Sequence, residues 1–292
     1  MSTVPSDWAH CWLLGAEGLH RSADGLDWVE IAQSGYPVED LVRKPDKLFC
    51  ATEWGLWGIA TPTSQWVQLH DETLTEVLGI APRPGHPGVA AVSTYGLSFG
   101  RSGEHGSTRW HSHTEGLTLN ERFSNALLAL PGAEGQWLVG TEDGVLIYDE
   151  TADLWHRTEL TGRACRALLH AHGSLWAGTD GGGIWRSTDG SSWKRAGTTL
   201  DDETIFSMGA TTDRILAGTL HGICVGDGES PWQRSGPALL VSAVAAHPDG
   251  EGPWLAGANP GGLWRSDDAG NHWRQVGDFH TVRVIMPPEE TG

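Results

Sequence analysis

The side chains best suited to chemistry fall on two recurring kinds of segment. Short polar turns carry Glu17, Glu53, Trp54, Tyr95, Glu142, Asp143, Asp180, His221 and Asn259. Apolar segments rich in small residues open with or contain Tyr36, Glu39, Asp40, Glu76, Asn125, Arg163, Arg166, Asp201, Asp202, Glu203, Ser242 and Arg283. Carboxylates and guanidiniums so mixed can line a polar channel where water or a ligand satisfies them. Exposed Trp and Tyr faces can stack on a sugar, an aromatic ring or a cation. Two carboxylates at the right separation could cleave a glycosidic bond. His221, His280 and Glu142 could hold the metal of a lyase or hydrolase, but no fixed-spacing ligand motif accompanies them. His111-Ser-His113 and His170-Ala-His172 put two imidazoles on one side of a strand, and they read as solvated histidines on the rim and at the far end of an inner strand.

The elements that must position these residues come from an internal repeat. Its clearest copies are LWAGTDGGGIWRSTDGSSW (175–193), WLAGANPGGLWRSDDAGNHW (254–273) and WLLGAEGLHRSADGLDW (12–28). Weaker copies are LFCATEWGLWGI (48–59), VAAVSTYGLSFGRS (89–102), WLVGTEDGVLIY (137–148) and ILAGTLHGICVG (215–226). Each has a glycine before an aliphatic residue: Gly18, Gly55, Gly96, Gly144, Gly183, Gly222 and Gly262, with successive spacings of 37 to 48 residues. A period near 40 with β-type alternation is that of one four-stranded blade per repeat. Between the copies lie seven apolar segments: 38–45, 74–82, 123–131, 165–171, 204–210, 241–248 and 281–288. They suit the crowded innermost strands around an axis. The last follows the seventh copy, while none precedes the first. Residues 281–287 are therefore expected to complete the blade begun near residue 12, which removes open sheet edges.

The expectation is an all-β chain folded as a single domain over 1–292: a seven-bladed β-propeller of four-stranded antiparallel blades, closed by its C-terminal strand. One inner-strand column should run Asp40, Glu76, Asn125, Arg166, Ser242 and Arg283. The turns between second and third strands should meet the starts of the inner strands on one face. That face is expected to carry function, with Trp54, Tyr95, Glu53, Glu142, Asp180, His221, Asp40, Glu76, Arg166 and Arg283 lining an axial funnel.

SDDAGNHW (266–273) fits the pattern S-x-D-x-G-x-x-W, SADGLDW (22–28) and STDGSSW (187–193) fit its one-shorter form, and SGEHGSTRW (102–110) is a degraded copy. With the repeat, these resemble the Asp-box (BNR) propeller superfamily, which includes sialidases, xyloglucanase-type glycosidases, sortilin-type receptor domains and photosystem assembly factors. The resemblance implies that Asp24, Asp189 and Asp268 hold structural hairpins away from the active face, as Asp and Ser do in tight turns. It implies little about activity. A sialidase would need an arginine cluster, for which Arg122 or Arg163, Arg166 and Arg283 are available, with Tyr95 as nucleophile. Sialidases, however, have six blades and an Arg-Ile-Pro signature that this sequence lacks. Xyloglucanase-type clefts lie between two propellers, and the repeats here make one.

Composition narrows the partners. Acidic residues outnumber basic ones 37 to 19, for a net charge of −18. This argues against nucleic acid and against anionic lipid. No signal-peptide pattern or membrane-length apolar run appears. Cys11, Cys50, Cys165 and Cys224 form no CxxC pair and read as buried thiols of a reducing, cytoplasmic compartment. The sequence thus reads as a ligand- or partner-binding propeller with an acidic funnel, requiring no cofactor, for a small molecule, sugar or peptide. The other reading is a glycoside hydrolase or metal-assisted lyase at the same funnel.

Overall fold

The computed structural model describes residues 8–60, 65–102 and 108–289. The degraded turn copy at 102–110 lies largely outside them. Every strand pairing among the described residues is antiparallel, and the one helix there is short, Leu119–Arg122, closed by a Thr118–Glu121 capping box. Five sheets have four strands and one has six.

The six-stranded sheet is two blades sharing a strand. Val29–Lys44 pairs over its first part with Trp12–Ser22 and over 38–44 with Lys47–Thr52. Trp12–Ser22 is in turn paired by the C-terminal strand Val284–Met286, with Leu13, Leu14 and Gly15 opposite Met286, Ile285 and Val284. The expected closure is therefore present. The innermost segments are 38–44, Gly79–Pro82, Ser124–Ala129, Cys165–Ala171, Ile205–Ala210, Val241–Ala246 and Val284–Met286. Each contacts the next, and the last contacts the first. We number the blades 1 to 7, with blade 1 holding Trp12–Ser22 and blade 2 holding Lys47–Thr52.

The packing follows from the same arrangement. A blade is covered on both faces, so its middle strands are buried without alternation: Ser174–Thr179 and Gly222–Gly226 are buried at every position. Seven apolar clusters fill the seven gaps between neighbouring blades. One joins blade 7 to blade 1 through Leu255, Leu263, Trp12 and Leu14. Trp8, outside the repeat, packs in the cluster between blades 1 and 2. The four cysteines are buried, and none forms a disulfide.

Two turn types recur. In the first, the hydroxyls of Thr52, Thr141 and Thr219 donate to the carbonyls of Gly55, Gly144 and Gly222 at 3.0–3.1 Å. The same hydroxyls accept the N–H groups of Trp54, Asp143 and His221. These bonds close the hairpin between second and third strands, and the glycine that accepts them is the one that marks each repeat. In the second, Ser187 Oγ accepts the Gly190 N–H at 2.8 Å, and Asp189 Oδ1 accepts those of Ser191 and Ser192 at 2.8 and 2.9 Å. The N–H groups of Ser192 and Ser191 hold the Asp189 carboxyl below its usual range. Ser22 with Asp24 and Ser266 with Asp268 repeat the pattern. These aspartates are scaffold.

Two glycines give a paired test. Gly144 has φ 121°, and a Cβ there would lie 2.0 Å from the Leu160 carbonyl oxygen. Gly162 has φ 74° and open space around it. Gly144→Ala should cost more than about 3 kcal/mol, and Gly162→Ala about 1 kcal/mol, in urea denaturation.

Candidate functional site

The face that gathers the turns is shaped by a repeated β-bulge. In five blades the pairing of inner with second strand slips at one place: between Val38 and Asp40, Ser124 and Ala126, Cys165 and Ala167, Ile205 and Ser207, and Val241 and Ala243. A bulge leaves one residue out of the ladder and re-aims its side chain. The residues so released are Glu39, Asn125, Arg166, Phe206 and Ser242. By register, Leu78 and Arg283 hold the same place in blades 3 and 1, preceding Gly79 and Val284.

The expected column is thus correct at Asn125, Arg166, Ser242 and Arg283 and wrong in two blades. Glu39, not Asp40, occupies it in blade 2. Leu78, not Glu76, occupies it in blade 3. In blade 2 the extra residue of the bulge slips the two-residue alternation by one, which apolar patterning cannot register; in blade 3 the inner strand begins only at Gly79, so the place falls at Leu78, two residues beyond Glu76. Phe206 is a member that sequence reasoning missed; its signal was its third place in the segment TIFSMGA (204–210), matching Asn125 in FSNALLALP (123–131).

The turns do meet the inner-strand starts: the Glu142 N–H donates to the Phe123 carbonyl and the Asp180 N–H to that of Ala164. Three groups form there. In the first, Arg166 reaches Asp180 Oδ2 at 2.8 Å and Glu142 Oε1 at 3.4 Å. Asn125 Nδ2 donates to Glu142 at 2.9 Å, and Thr204 Oγ1 to Asp180 at 2.7 Å. Thr204 and Arg166 hold Asp180 below its usual pKa. In the second, Arg283 pairs with Glu17 at 3.2 Å and with Glu39 at 3.5 Å. Burial raises the Glu39 pKa; Arg283 opposes this, while Glu53, Glu17 and Glu76 add to it. Four glutamates therefore share one field with a single guanidinium ion-paired to them among the described residues. Beside them Trp54 is 61% exposed and meets Tyr36 edge-on at 6.5 Å. Tyr95 is 59% exposed, and Glu76 accepts a hydrogen bond from Thr94 at 3.2 Å. In the third, the exposed His221 is oriented through Nδ1 by Glu203 at 3.2 Å, and Glu203 is also paired to Arg234.

Asp40 is a tie rather than a funnel residue. Its Oδ1 accepts the Leu41 N–H and its Oδ2 the Ile80 N–H, both at 2.8 Å, which links the inner strands of blades 2 and 3. Burial outweighs these two bonds, and the carboxyl is pushed up to about 7, with Glu39 adding to the rise. His170 lies at the other end of the axis, in an apolar cavity of about 520 Å³ shared with Leu41, Ile80, Leu127 and Met286. The rings of His111 and His113 lie 4.9 Å apart on an outer strand, where His113 Nδ1 contacts the Tyr148 hydroxyl at 2.6 Å and Asp153 at 2.9 Å. Among the described residues, no group of three or more His, Cys, Asp or Glu is arranged to hold a metal ion.

No protein-family model and no curated protein matches the sequence. Solved structures do match. The extracellular domain of BT4673 from B. thetaiotaomicron superposes with a TM-score of 0.71 at 16% identity over 89% of this chain. This chain spans only 37% of that one. The β-propeller domain of Myceliophteria thermophila Cps50 (Swd1) gives 0.63 at 12% identity, covering 94% of this chain and 99% of its own. Saccharomyces cerevisiae Sqt1 gives 0.65 at 11% identity, covering 96% and 86%. The chain is a β-propeller. At these identities the likeness is one of fold, and the propeller's chemistry must be read from its own side chains.

Asp40 yields a signed expectation. Its carboxyl titrates at about 7 in the folded chain and near 3.9 when unfolded. Between those values the folded state binds the extra proton, so stability falls as pH rises. The unfolding free energy of wild type relative to Asp40→Asn should therefore be larger at pH 5 than at pH 8, by more than about 1 kcal/mol, in parallel urea titrations.

Proposed function

We propose that this propeller binds a ligand or partner through a cationic or aromatic group at the face bearing Trp54. The observation that carries the reading is the exposed Trp54–Tyr36 pair beside Glu17, Glu39, Glu53 and Glu76, with Arg283 as their ion-paired guanidinium. An aromatic face attracts a cation, and nearby carboxylates strengthen that preference. Tyr95 extends the aromatic surface. Glu142, Asp180, Arg166 and His221 form the polar remainder of the funnel and supply orientation. The net charge of −18 favours a cationic ligand and disfavours nucleic acid or anionic membrane as the partner. The three Ser-x-Asp hairpins support membership of the Asp-box superfamily, and the buried free thiols support a cytoplasmic setting.

A hydrolase reading is less well supported. Glycoside cleavage needs one carboxyl free to donate a proton and a second free to attack or to activate water. Glu142 and Asp180 are committed to Asn125, Arg166 and Thr204. Asp40 spends both oxygens on backbone N–H groups.

Calorimetric titration with arginine-containing peptides, phenylalkylamines and neutral aryl glycosides tests the reading. Cationic members should bind, and affinity should fall with added salt. Trp54→Ala should weaken binding at least about tenfold, and Glu53→Gln by a smaller factor. Equal binding by Trp54→Ala, or turnover of any glycoside that Glu142→Gln abolishes, would sink it.

A further inference from the structure

A separate cavity of about 490 Å³ lies between blades 6 and 7, at the ends of the strands opposite the turn of His221. Its lining includes Thr212, Asp213, Arg214, Gln233, Trp254 and Asn271. The neighbouring blades show why the space is open. Arg186, the third residue after the marker glycine of blade 5, stands 5.2 Å from the Trp176 ring centre and pairs with Glu229 of blade 6 at 2.7 Å. Arg265, at the same place in blade 7, reaches the Asp24 carbonyl of blade 1. In both crevices a guanidinium crosses from one blade to the next. Blade 6 has Val225 at this place, too short to cross, and Val225 lines the cavity.

Strand pairing fixes which side chains face the opening. Val225 stands opposite Leu216, and both belong to the apolar cluster between blades 6 and 7. Gln233 pairs with Val225, and Ser235 with Ile223 of the same cluster, so both face blade 7. Arg234 pairs with Cys224 on the blade 5 side, where its guanidinium meets Glu203. Ile215 also faces blade 5, so its neighbour Arg214 faces blade 7 with Leu216. Blade 7 brings Gly250, Trp254, Ala269, Gly270 and Asn271 to the lining, and no charged side chain. The opening is thus bordered by one acid and one base. Asp213 and Arg214 are chain neighbours whose Oδ2 and Nε stand 3.8 Å apart, beyond hydrogen-bond reach. Neither has another ion-pair partner among the described residues. Thr211 Oγ1 donates to Asp213 Oδ1 at 3.1 Å and fixes the carboxylate. The nearby aspartates have partners of their own: Asp267 pairs with Arg265 and Arg274, Asp268 with His272, and Asp249 with His247. Glu251 is exposed and lies outside the lining. Val225 and Trp254 form an apolar floor, and Thr212, Gln233 and Asn271 add groups that both donate and accept.

We infer that this crevice binds a small zwitterion, an α-amino acid with an apolar side chain. Its carboxylate meets Arg214, its ammonium meets Asp213, and its side chain rests on Trp254 and Val225. A molecule carrying both charges on one carbon fits between two side chains that do not close on each other, and leaves neither charge unpaired. A lone anion would face Asp213, and a lone cation would face Arg214. Both contacts of the zwitterion are charge-assisted and so stronger than their neutral equivalents. The volume falls within the roughly 300–1,000 Å³ of small-molecule sites.

Calorimetry with L-leucine, isocaproate and isoamylamine tests the inference on the intact chain. The last two are leucine without its ammonium and leucine without its carboxylate. All titrations are run in wild type and in Trp54→Ala, which removes the cation site proposed for the funnel. In both, leucine should saturate with Kd below about 1 mM. In Trp54→Ala, isocaproate and isoamylamine should each bind at least about tenfold more weakly than leucine. Arg214→Gln and Asp213→Asn, both at exposed residues, should each weaken leucine at least about tenfold. No saturation up to about 10 mM leucine, or wild-type affinity in either variant, would overturn the inference. Isocaproate or isoamylamine matching leucine in Trp54→Ala would overturn the zwitterion. Loss of leucine binding in Trp54→Ala would move the site to the funnel and overturn the crevice.

Discussion

A ring of sheets exists only if its last strand finds its first, and here that contact is small. Three residue pairs, Leu13–Gly15 with Val284–Met286, join the two ends of the described chain. Around them the Arg283 N–H donates to the Gly15 carbonyl at 2.8 Å, and Arg43 reaches the carbonyls of Pro287 and Cys11, both at 2.9 Å. Without this clasp, blade 1 would lack its inner strand and its backbone groups would stand open to other chains. The apolar cluster between blades 7 and 1 would also lose Val282 and Ile285. The clasp places Arg283 at the axis, so closure and funnel chemistry share a segment.

The bulge is what turns a structural strand into a functional one. Next to it, the inner strands also hold one another through side chains: Asn125 Nδ2 reaches the Cys165 carbonyl, Ser242 Oγ the Val282 carbonyl at 2.6 Å, and Asp40 accepts from Ile80. Where the residue at that place is charged instead, as at the bulged Glu39 and Arg166 and at Arg283, it turns to other charges on the same face. One backbone irregularity thus serves either as a joint between blades or as a recognition group, according to the residue it releases.

The blade repeat, the closure, the Ser-x-Asp hairpins and the meeting of turns with inner-strand starts were all legible in the sequence. Each is set by local chemistry: glycine at positive φ, hydroxyl and carboxylate caps, and apolar runs of strand length. The column of axial residues was legible only in part: the bulge in blade 2 leaves no compositional mark and puts Glu39 where Asp40 was expected, and the late start of the blade 3 inner strand puts Leu78 where Glu76 was. Partnerships were not legible at all. That Glu203 orients His221 and also meets Arg234 depends on how loops and strands pack, which the repeat does not encode.

The Thr–Gly closure of the second hairpin has an evolutionary corollary. The hydroxyl of Thr52, Thr141 or Thr219 meets only backbone atoms of its turn, so the turn's shape is set by the threonine and the glycine alone. The two positions between them carry Glu-Trp, Glu-Asp and Leu-His in blades 2, 4 and 6. Their side chains take no part in the hydrogen bonds that close the turn. A lineage built on this frame can rewrite its specificity one hairpin at a time, with each new letter tried at little risk to folding.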